Sequence, residues 1–442
     1  MVRSIPTRPR RLARWTHRAG GALLVVAFAL PRSSAAETLA DAWRMAMHTD
    51  GTVAAARDDL AAARAQRTAA ERARWPTLDV GGGYTQLNQS PILDIQTPNG
   101  PFRSPKIWRH DGFASAAADL SLPVWTSGGL AGSIGAARAG ARGAAAEERM
   151  TTADVKLAVA EAYLGVLRAR SALEVADSDL ASLRAHAADV QVMYEKQAVA
   201  KSDLLAAEVA LANAEQAHLR AQNALAIAIA AYNRWVGEPL DRQPQLLDPT
   251  PPQTAGSLAT LVARADAERP EIVALDALHA RLLDSARETR AQGLPQIALH
   301  AGYNHFDNQI LDRQNFASVG VTLKWRLFAS GQIRAQTDAI DERARAAERR
   351  LQDLRSKIAL EVRMSLLNRD DAAARLRAAA VTVAQAEENV RVADELYRSG
   401  LGTNTQVLEA DALRTTALTN RDAAKYDLEI ADFRLERAVG GL

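Results

Sequence analysis

The sequence has 442 residues and no cysteine, which excludes disulfides, thiolate metal sites, cysteine nucleophiles and a lipid attached to an N-terminal cysteine. The formal net charge is +2, but seven arginines and no acidic residue lie in the first 36 positions. The rest of the chain therefore has 47 basic and 52 acidic residues, a net charge of −5 that argues against nucleic acid as a partner.

The N-terminus has the three-part layout of a secretory signal peptide, which we assign to residues 1–36. Six arginines between positions 3 and 18 precede an apolar run over 22–30, and the small residues 34–36 follow. The apolar run is too short to span a bilayer as a helix, and no other run of about 18 apolar residues occurs. We therefore expect an exported chain with a cleaved signal peptide, no lipid anchor and no helical membrane span.

The exported part opens with a predicted helix over 38–74, which is rich in Ala, Arg and Leu. It ends just before Pro76, because proline cannot continue a helix. Weak alternation of apolar and polar residues then predicts a β-hairpin over 78–125. The long loop of this hairpin, 86–112, is rich in Pro, Asn, Asp and Ser and has no enzymatic grouping.

A proline-free stretch over 129–195 predicts a very long helix, about 100 Å at 1.5 Å per residue. No compact globular domain needs a helix of this length. A break near 197–200 predicts the tip of a helical hairpin, and apolar helical periodicity resumes at Lys201. Residues 37–237 thus form one predicted repeat, and a linker with five prolines follows over 238–256.

The same order recurs over 257–442, which we interpret as a second tandem structural repeat. A helix over 257–291 leads to a β-hairpin over 296–328, where the alternation is stronger than in the first copy. A long helical hairpin follows, with its tip near 399–403. The predicted fold class is therefore mixed α/β and mostly helical, with four β-strands per chain.

Two copies of a coiled-coil seam, 203 residues apart, locate the two tips. Apolar residues in each copy recur at spacings of three and four, which places them on one helix face. The seams consist of Leu173, Ala176, Leu180, Leu183, Ala187, Val190 and Tyr194, and of Leu376, Ala379, Val383, Ala386, Val390, Ala393 and Tyr397.

Eleven of the 19 aromatic residues after position 36 lie in the two β-hairpins or at their ends. Such clustering is typical of the interfacial girdles of a membrane barrel, although four strands of a small soluble sheet would fit the strand pattern equally well. In lipid, four strands would leave two unpaired edges, so several chains would have to contribute strands to one barrel. Three chains would give twelve strands and leave room for a pore.

The order of helix, proline, hairpin, long helix, tip and return helix, occurring twice, resembles the TolC-like outer membrane factors. The tip segments Tyr397–Arg–Ser–Gly–Leu–Gly–Thr403 and Val407–Leu–Glu–Ala410 add to this resemblance. The resemblance implies a homotrimer with a 12-stranded transmembrane β-barrel in the outer membrane of a Gram-negative bacterium. It also implies a coiled-coil tunnel through the periplasm, closed at its inner end by the helical tips.

The resemblance also implies which residues form the periplasmic gate. The acidic constriction of the family aligns with Glu409, and its neighbour one turn earlier aligns with Gln406. Three copies of Glu409 around an axis would repel one another and attract cations. A closing hydrogen bond between neighbouring coiled coils falls on Asp203 and Tyr397, whereas an arginine that helps to hold the family closed aligns with Gly402. For Glu409 an exposed helix glutamate is the alternative reading, and for Tyr397 it is plain packing.

The implied partners are a periplasmic adaptor and an inner membrane transporter of the RND or ABC type, besides outer membrane lipid. The adaptor would dock on the two tips, and the first tip lacks the usual glycine. The implied function is the passive exit duct of a tripartite efflux pump or type I secretion system, with no enzymatic activity and no cofactor. A secreted coiled-coil scaffold without a pore is the alternative. The docking residues would be Gln197, Ala198, Val199 and Ala200, with Gly400, Leu401 and Gly402.

Overall fold

The structure, a computed structural model, describes residues 36–108, 111–308 and 312–442. Apart from Ala36, the predicted signal peptide lies outside the described residues. In chain order the elements are α1 (Leu39–Thr49), α2 (Gly51–Arg72), β1 (Thr77–Gln86), β2 (Asp94–Thr97), β3 (Gly100–Arg103), β4 (Gly112–Trp125), α3 (Gly129–Glu195), α4 (Lys201–Val236), α5 (Leu258–Glu268), α6 (Pro270–Ala291), β5 (Gln296–Phe306), β6 (Asn315–Lys324), α7 (Gln332–Arg398) and α8 (Asn404–Ala438).

The prediction of one continuous helix before each β-hairpin was wrong. Asp50 separates α1 from α2 in an extended conformation, and its carboxylate accepts hydrogen bonds from the backbone N–H groups of Thr52 and Val53. This capping satisfies N–H groups at the start of a new helix. Arg269 separates α5 from α6 with nearly the same backbone angles, and Pro270 begins α6, where its missing N–H costs nothing.

Four strands form one antiparallel sheet in the order β1-β4-β5-β6. The register places apolar residues from neighbouring strands on one face, as in Val80 opposite Ala118 and Leu299 opposite Val321. The other face carries Asp79 opposite Asp119. The large side chains of the apolar face are exposed, so the apolar face has no cover within the single chain.

Strands β2 and β3 form a second, two-stranded hairpin inside the loop predicted over 86–112. The prediction of four strands missed this pair. Its turn contains Gly100, whose φ of 111° lies in the left-handed region that favours glycine.

Two helices of 67 residues each, α3 and α7, extend from the sheet, and α4 and α8 return along them. Each long helix begins after a Ser-Gly pair with positive φ, Ser127–Gly128 and Ser330–Gly331. Helix α3 packs against both α4 and α8, which joins the two helical hairpins. Among the described residues, no helix combines the length and the apolar character needed to cross a membrane.

Among the described residues, the largest buried cluster lies where the segment around Leu39 and the 238–256 segment meet the helices. The Tyr163 hydroxyl lies 2.8 and 2.6 Å from the carbonyl oxygens of Glu37 and Leu247 and donates its one hydrogen to this pair of acceptors. Arg242 forms an ion pair with the Glu37 carboxylate at 3.0 Å, and the Tyr232 hydroxyl donates to the same carboxylate. These bonds anchor the segment between the two halves of the chain to α3 and α4.

Candidate functional site

The two helical hairpins end in turns of similar geometry at the far end from the sheet. Gly400 follows α7 with φ 74°, and the N–H groups of Leu401 and Gly402 both donate to the carbonyl oxygen of Leu396 at 2.9 Å. This pattern satisfies carbonyl groups that the helix end would leave unpaired. Gln197 occupies the corresponding position after α3 with φ 61°, so the first tip makes the left-handed turn without a glycine.

The predicted docking residues lie on these turns. Leu401 is 80% exposed, the highest exposure of any large apolar residue in the helical part. Gln197, Ala198 and Ala200 are also exposed, whereas Val199 is half-buried. A Cβ atom at position 402 would lie 3.0 Å from the Tyr397 backbone nitrogen, a close contact that favours glycine at position 402.

Behind the turns, apolar residues from all four long helices form one buried group, which we call the tip cluster. Its presence means that the two hairpins of one chain are packed together at their tips. Part of each predicted seam, including Val190 and Tyr397, contributes to it. The members are Ala187, Val190, Leu204, Ala207, Ala393, Tyr397, Val407 and Ala410.

A buried amide bridges the two hairpins beside the tip cluster. Asn404, the first residue of α8, is 3% exposed. Its Nδ2 atom donates to the backbone carbonyl of Asp203 in α4 at 3.0 Å. Its Oδ1 atom lies 2.7 Å from Nε2 of His186 in α3, which must therefore carry the proton and donate it. One side chain thus links α8 with both helices of the other hairpin.

Asp203 and Tyr397, the residues of the predicted closing bond, lie near each other within one chain. Burial raises the pKa of Tyr397, and the negative charges of Asp203 and Asp189 raise it further. The Tyr397 hydroxyl is buried and has no hydrogen-bond partner among the described residues. The ring lies 5.5 Å from that of His186. The bond between neighbouring protomers stays a prediction.

The two residues of the predicted constriction differ in their surroundings. Glu409 is exposed on α8, one residue before the buried Ala410. Gln406 is also exposed, but its side chain accepts a hydrogen bond from the Thr403 backbone N–H at 2.9 Å. The Thr403 hydroxyl accepts one from the Gln406 N–H in return, which forms a capping box at the start of α8. Of the two, only Gln406 belongs to this capping box.

Sequence reasoning missed Asn404 and His186 as residues of this site. The signal that could have identified Asn404 is a polar residue at a seam position. Asn404, Val407, Asp411 and Arg414 follow one another at spacings of three, four and three, and polar groups there specify pairing. Within the described residues no group of three or more His, Asp or Glu side chains could hold a metal ion.

The family model described as outer membrane efflux protein matches residues 44–238 and 261–441. The chain is 26% identical to the alkaline protease secretion protein AprF of Pseudomonas aeruginosa, over 98% of this chain and 89% of that protein. It is 25% identical to the outer membrane protein TolC of Vibrio cholerae, over 92% of this chain and 91% of that protein. Each of the two matched segments contains one tip.

The fold is similar to that of the outer membrane protein VceC from Vibrio cholerae, with a TM-score of 0.77. The superposition covers 91% of this chain and 96% of that chain at 17% sequence identity. The likeness therefore concerns the arrangement of the elements, including the sheet and the long helical hairpins, rather than individual side chains.

Proposed function

This chain belongs to the outer membrane efflux protein family, and from that premise we propose that three copies form a passive channel through the outer membrane and the periplasm. The single observation that carries the proposal is the joining of two features in one chain. One is a sheet with an uncovered apolar face and two open edges, and the other is a pair of helical hairpins whose longer arms, α3 and α7, are each about 100 Å long. Secretion in the printed name of AprF and efflux in the family description fit this role.

The four strands of each chain would contribute one third of a 12-stranded barrel. Edge strands β1 and β6 have unpaired backbone groups, which water can satisfy but lipid cannot. Pairing of β1 with β6 of the next copy removes all the edges. The two halves of the chain act as tandem structural repeats in this assembly, and three sets of hairpins continue the barrel as a tunnel.

The tips form the gate of this channel. Three copies of Glu409 around the axis would create a ring of negative charge that favours cations, with Gln406 one turn nearer the tip. Asp203 and Tyr397 would hold neighbouring hairpins in the closed state. The exposed turns at 197–200 and 400–402 would receive a periplasmic adaptor, which connects the channel to an inner membrane transporter of the RND or ABC type.

Planar lipid bilayers test the gate assignment. Glu409→Gln removes the charge while keeping the size of the side chain, so we expect the cation selectivity of the channel to fall. Glu388→Gln is the matched control. Glu388 already forms an ion pair with Arg391 at 2.5 Å, so its replacement should leave the ion selectivity unchanged. Equal selectivity of the wild type and Glu409→Gln would remove Glu409 from the constriction.

The same preparation separates the channel from a secreted coiled-coil scaffold without a pore. A channel should fractionate with outer membranes, require detergent, migrate on a gel as a heat-modifiable oligomer and conduct ions. A scaffold should be a water-soluble protein without conductance, and that result would overturn the proposal.

A further inference from the structure

Side-chain hydrogen bonds cross the interface between α3 and α8, which joins the two hairpins of one chain. They recur from the tip towards the middle of the helices. Such groups can be hydrated when the helices separate, so parting them costs less than parting an apolar interface. The bonded pairs are His186–Asn404, Ser182–Asp411, Asp179–Thr415, Ser171–Asp422 and Arg168–Asp427.

Two carboxyl groups meet in the middle of this series. Asp411 is 3% exposed, and its Oδ1 atom accepts from Ser182 at 3.1 Å and pairs with Arg414 at 2.8 Å. Its Oδ2 atom is buried and has no donor among the described residues. Asp179 accepts from Thr415 at 2.5 Å, and Ser182 donates to Asp411 from the other side, so these two crossed bonds place the two carboxyl groups side by side across the interface. Two ionised carboxylates cannot bond each other, but one proton between them would satisfy the unpaired oxygen.

The charges around this pair do not balance when both groups are ionised. Helix α8 supplies one cation, Arg414, for two carboxylates. On α3 the nearby Asp177 is already paired with His218 of α4 at 2.8 Å. Helix α7 packs on this part of α8 with apolar side chains, Val383 and Ala386.

We propose that Asp179 and Asp411 share a proton while the hairpins are packed, so that the α3–α8 interface tightens as pH falls and loosens as pH rises. In the channel proposed above, on which this consequence rests, separation of the hairpins next to the tip cluster would favour an open gate. The pair thus acts as a proton-dependent latch.

The direction follows from linkage. Burial raises the pKa of Asp411 above its ordinary value of 3.8, Arg414 lowers it, and the charge of Asp179 raises it again, with a net increase. A carboxyl group whose pKa is raised in the packed state stabilises that state fully when the pH is below 3.8. This stabilisation is lost as the pH rises through the raised pKa. Separated, hydrated hairpins would restore the ordinary pKa.

A distance measurement across the interface tests the latch without requiring a pore. Because the chain has no cysteine, spin labels can be attached at Ala181→Cys on α3 and Ala412→Cys on α8, both exposed. Chains that carry the two cysteines are co-expressed with an excess of cysteine-free chains before labelling. Each pair of labels then lies within one protomer. We expect the label distance in the purified protein to lengthen between about pH 4 and about pH 8.

Asp411→Asn should abolish this pH-dependent shift and keep the short distance, because the neutral amide can donate to Asp179 at any pH. Asp179→Asn should have the same effect and serves if the first variant does not fold. Asp422→Asn is the matched control: Asp422 lies on the same interface but bonds Ser171 and Arg421 rather than a carboxylate, so its variant should shift as the wild type does.

A wild-type distance that does not change with pH would overturn the latch, as would a shift that persists in both Asp411→Asn and Asp179→Asn. A distance that follows added magnesium at constant pH would identify a cation site instead. If the distance shifts as expected while bilayers show no conductance, the latch stands and the proposed channel fails.

Discussion

Asn404 links the two hairpins of one chain at their tips through bonds to both α3 and α4. Replacement by leucine keeps the branching and the number of side-chain heavy atoms but leaves His186 Nε2 and the Asp203 carbonyl without their partners. An unpaired buried polar group costs about 1–3 kcal/mol, so the tips should separate more readily. We expect Asn404→Leu to raise the time-averaged conductance in planar bilayers and to sensitise cells to a large hydrophilic antibiotic.

The neighbouring residue provides the control for this prediction. Thr405 is exposed on the same helical turn, so Thr405→Val should leave conductance and antibiotic sensitivity at the wild-type level. If Asn404→Leu conducts no better than Thr405→Val, then the bridge of Asn404 does not hold the tips together.

Individual residues of the site could be predicted only where the sequence pattern that identifies them lies within one helix. Tyr397 ends an apolar seam that can be read directly from the sequence, and it is buried in the tip cluster. The bond between His186 and Asn404 joins residues 218 positions apart. Heptad spacing identifies the face of each helix but not which helix that face meets, so the pairing of α3 with α8 could not be predicted.

The two tip turns differ in strain at one corresponding position. Gln197 adopts φ 61°, where a side chain costs roughly 1–2 kcal/mol, whereas Gly400 adopts φ 74° without that cost. Gln197→Gly should therefore stabilise the first tip by about 1 kcal/mol, part of the gain being offset by greater freedom of the unfolded chain. Hydrogen exchange of the backbone N–H groups near Ala198 should become slower.

The reciprocal change is the control for the strain argument. Gly400→Gln should destabilise the second tip by a similar amount and speed exchange around Leu401. Faster exchange around Ala198 in Gln197→Gly would show that the turn is held by side-chain contacts rather than limited by its backbone.

At the scale of elements, prediction succeeded where one periodicity continued without interruption. Helix α3 spans Gly129–Glu195, the range that the proline-free stretch predicts. The hairpin predicted over 78–125 agrees at its outer ends with the start of β1 and the end of β4 to within one residue. The break at Asp50 was missed because one residue outside the helical conformation does not disturb an apolar pattern averaged over several turns, whereas the break at Arg269 is marked in the sequence by Pro270, which was overlooked.

At the scale of the whole molecule, the sheet explains why one chain is incomplete. In β6, Val319, Val321 and Leu323 all point to the same side of the sheet, and they are 86%, 67% and 61% exposed. The residues that alternate with them along β6 and point to the other side, Ser318, Gly320 and Thr322, are small or polar. A single chain in water would expose this apolar face, whereas a barrel in lipid would cover it and leave the polar face towards the lumen.

Lysine substitutions on the two faces of β6 test this orientation. Val321→Lys places a charge in the middle of the proposed lipid-facing row, where it should cost about 2–4 kcal/mol and reduce the heat-modifiable oligomer in the outer membrane fraction. Thr322→Lys changes the next residue on the same strand, but its side chain would face the water-filled lumen, so assembly should proceed and only the ion selectivity should change. Because β6 is an edge strand and both variants leave its backbone groups intact, a difference between them reports the face rather than the pairing. Equal assembly of the two variants would mean that the apolar face does not meet lipid, and the barrel would then have to be abandoned.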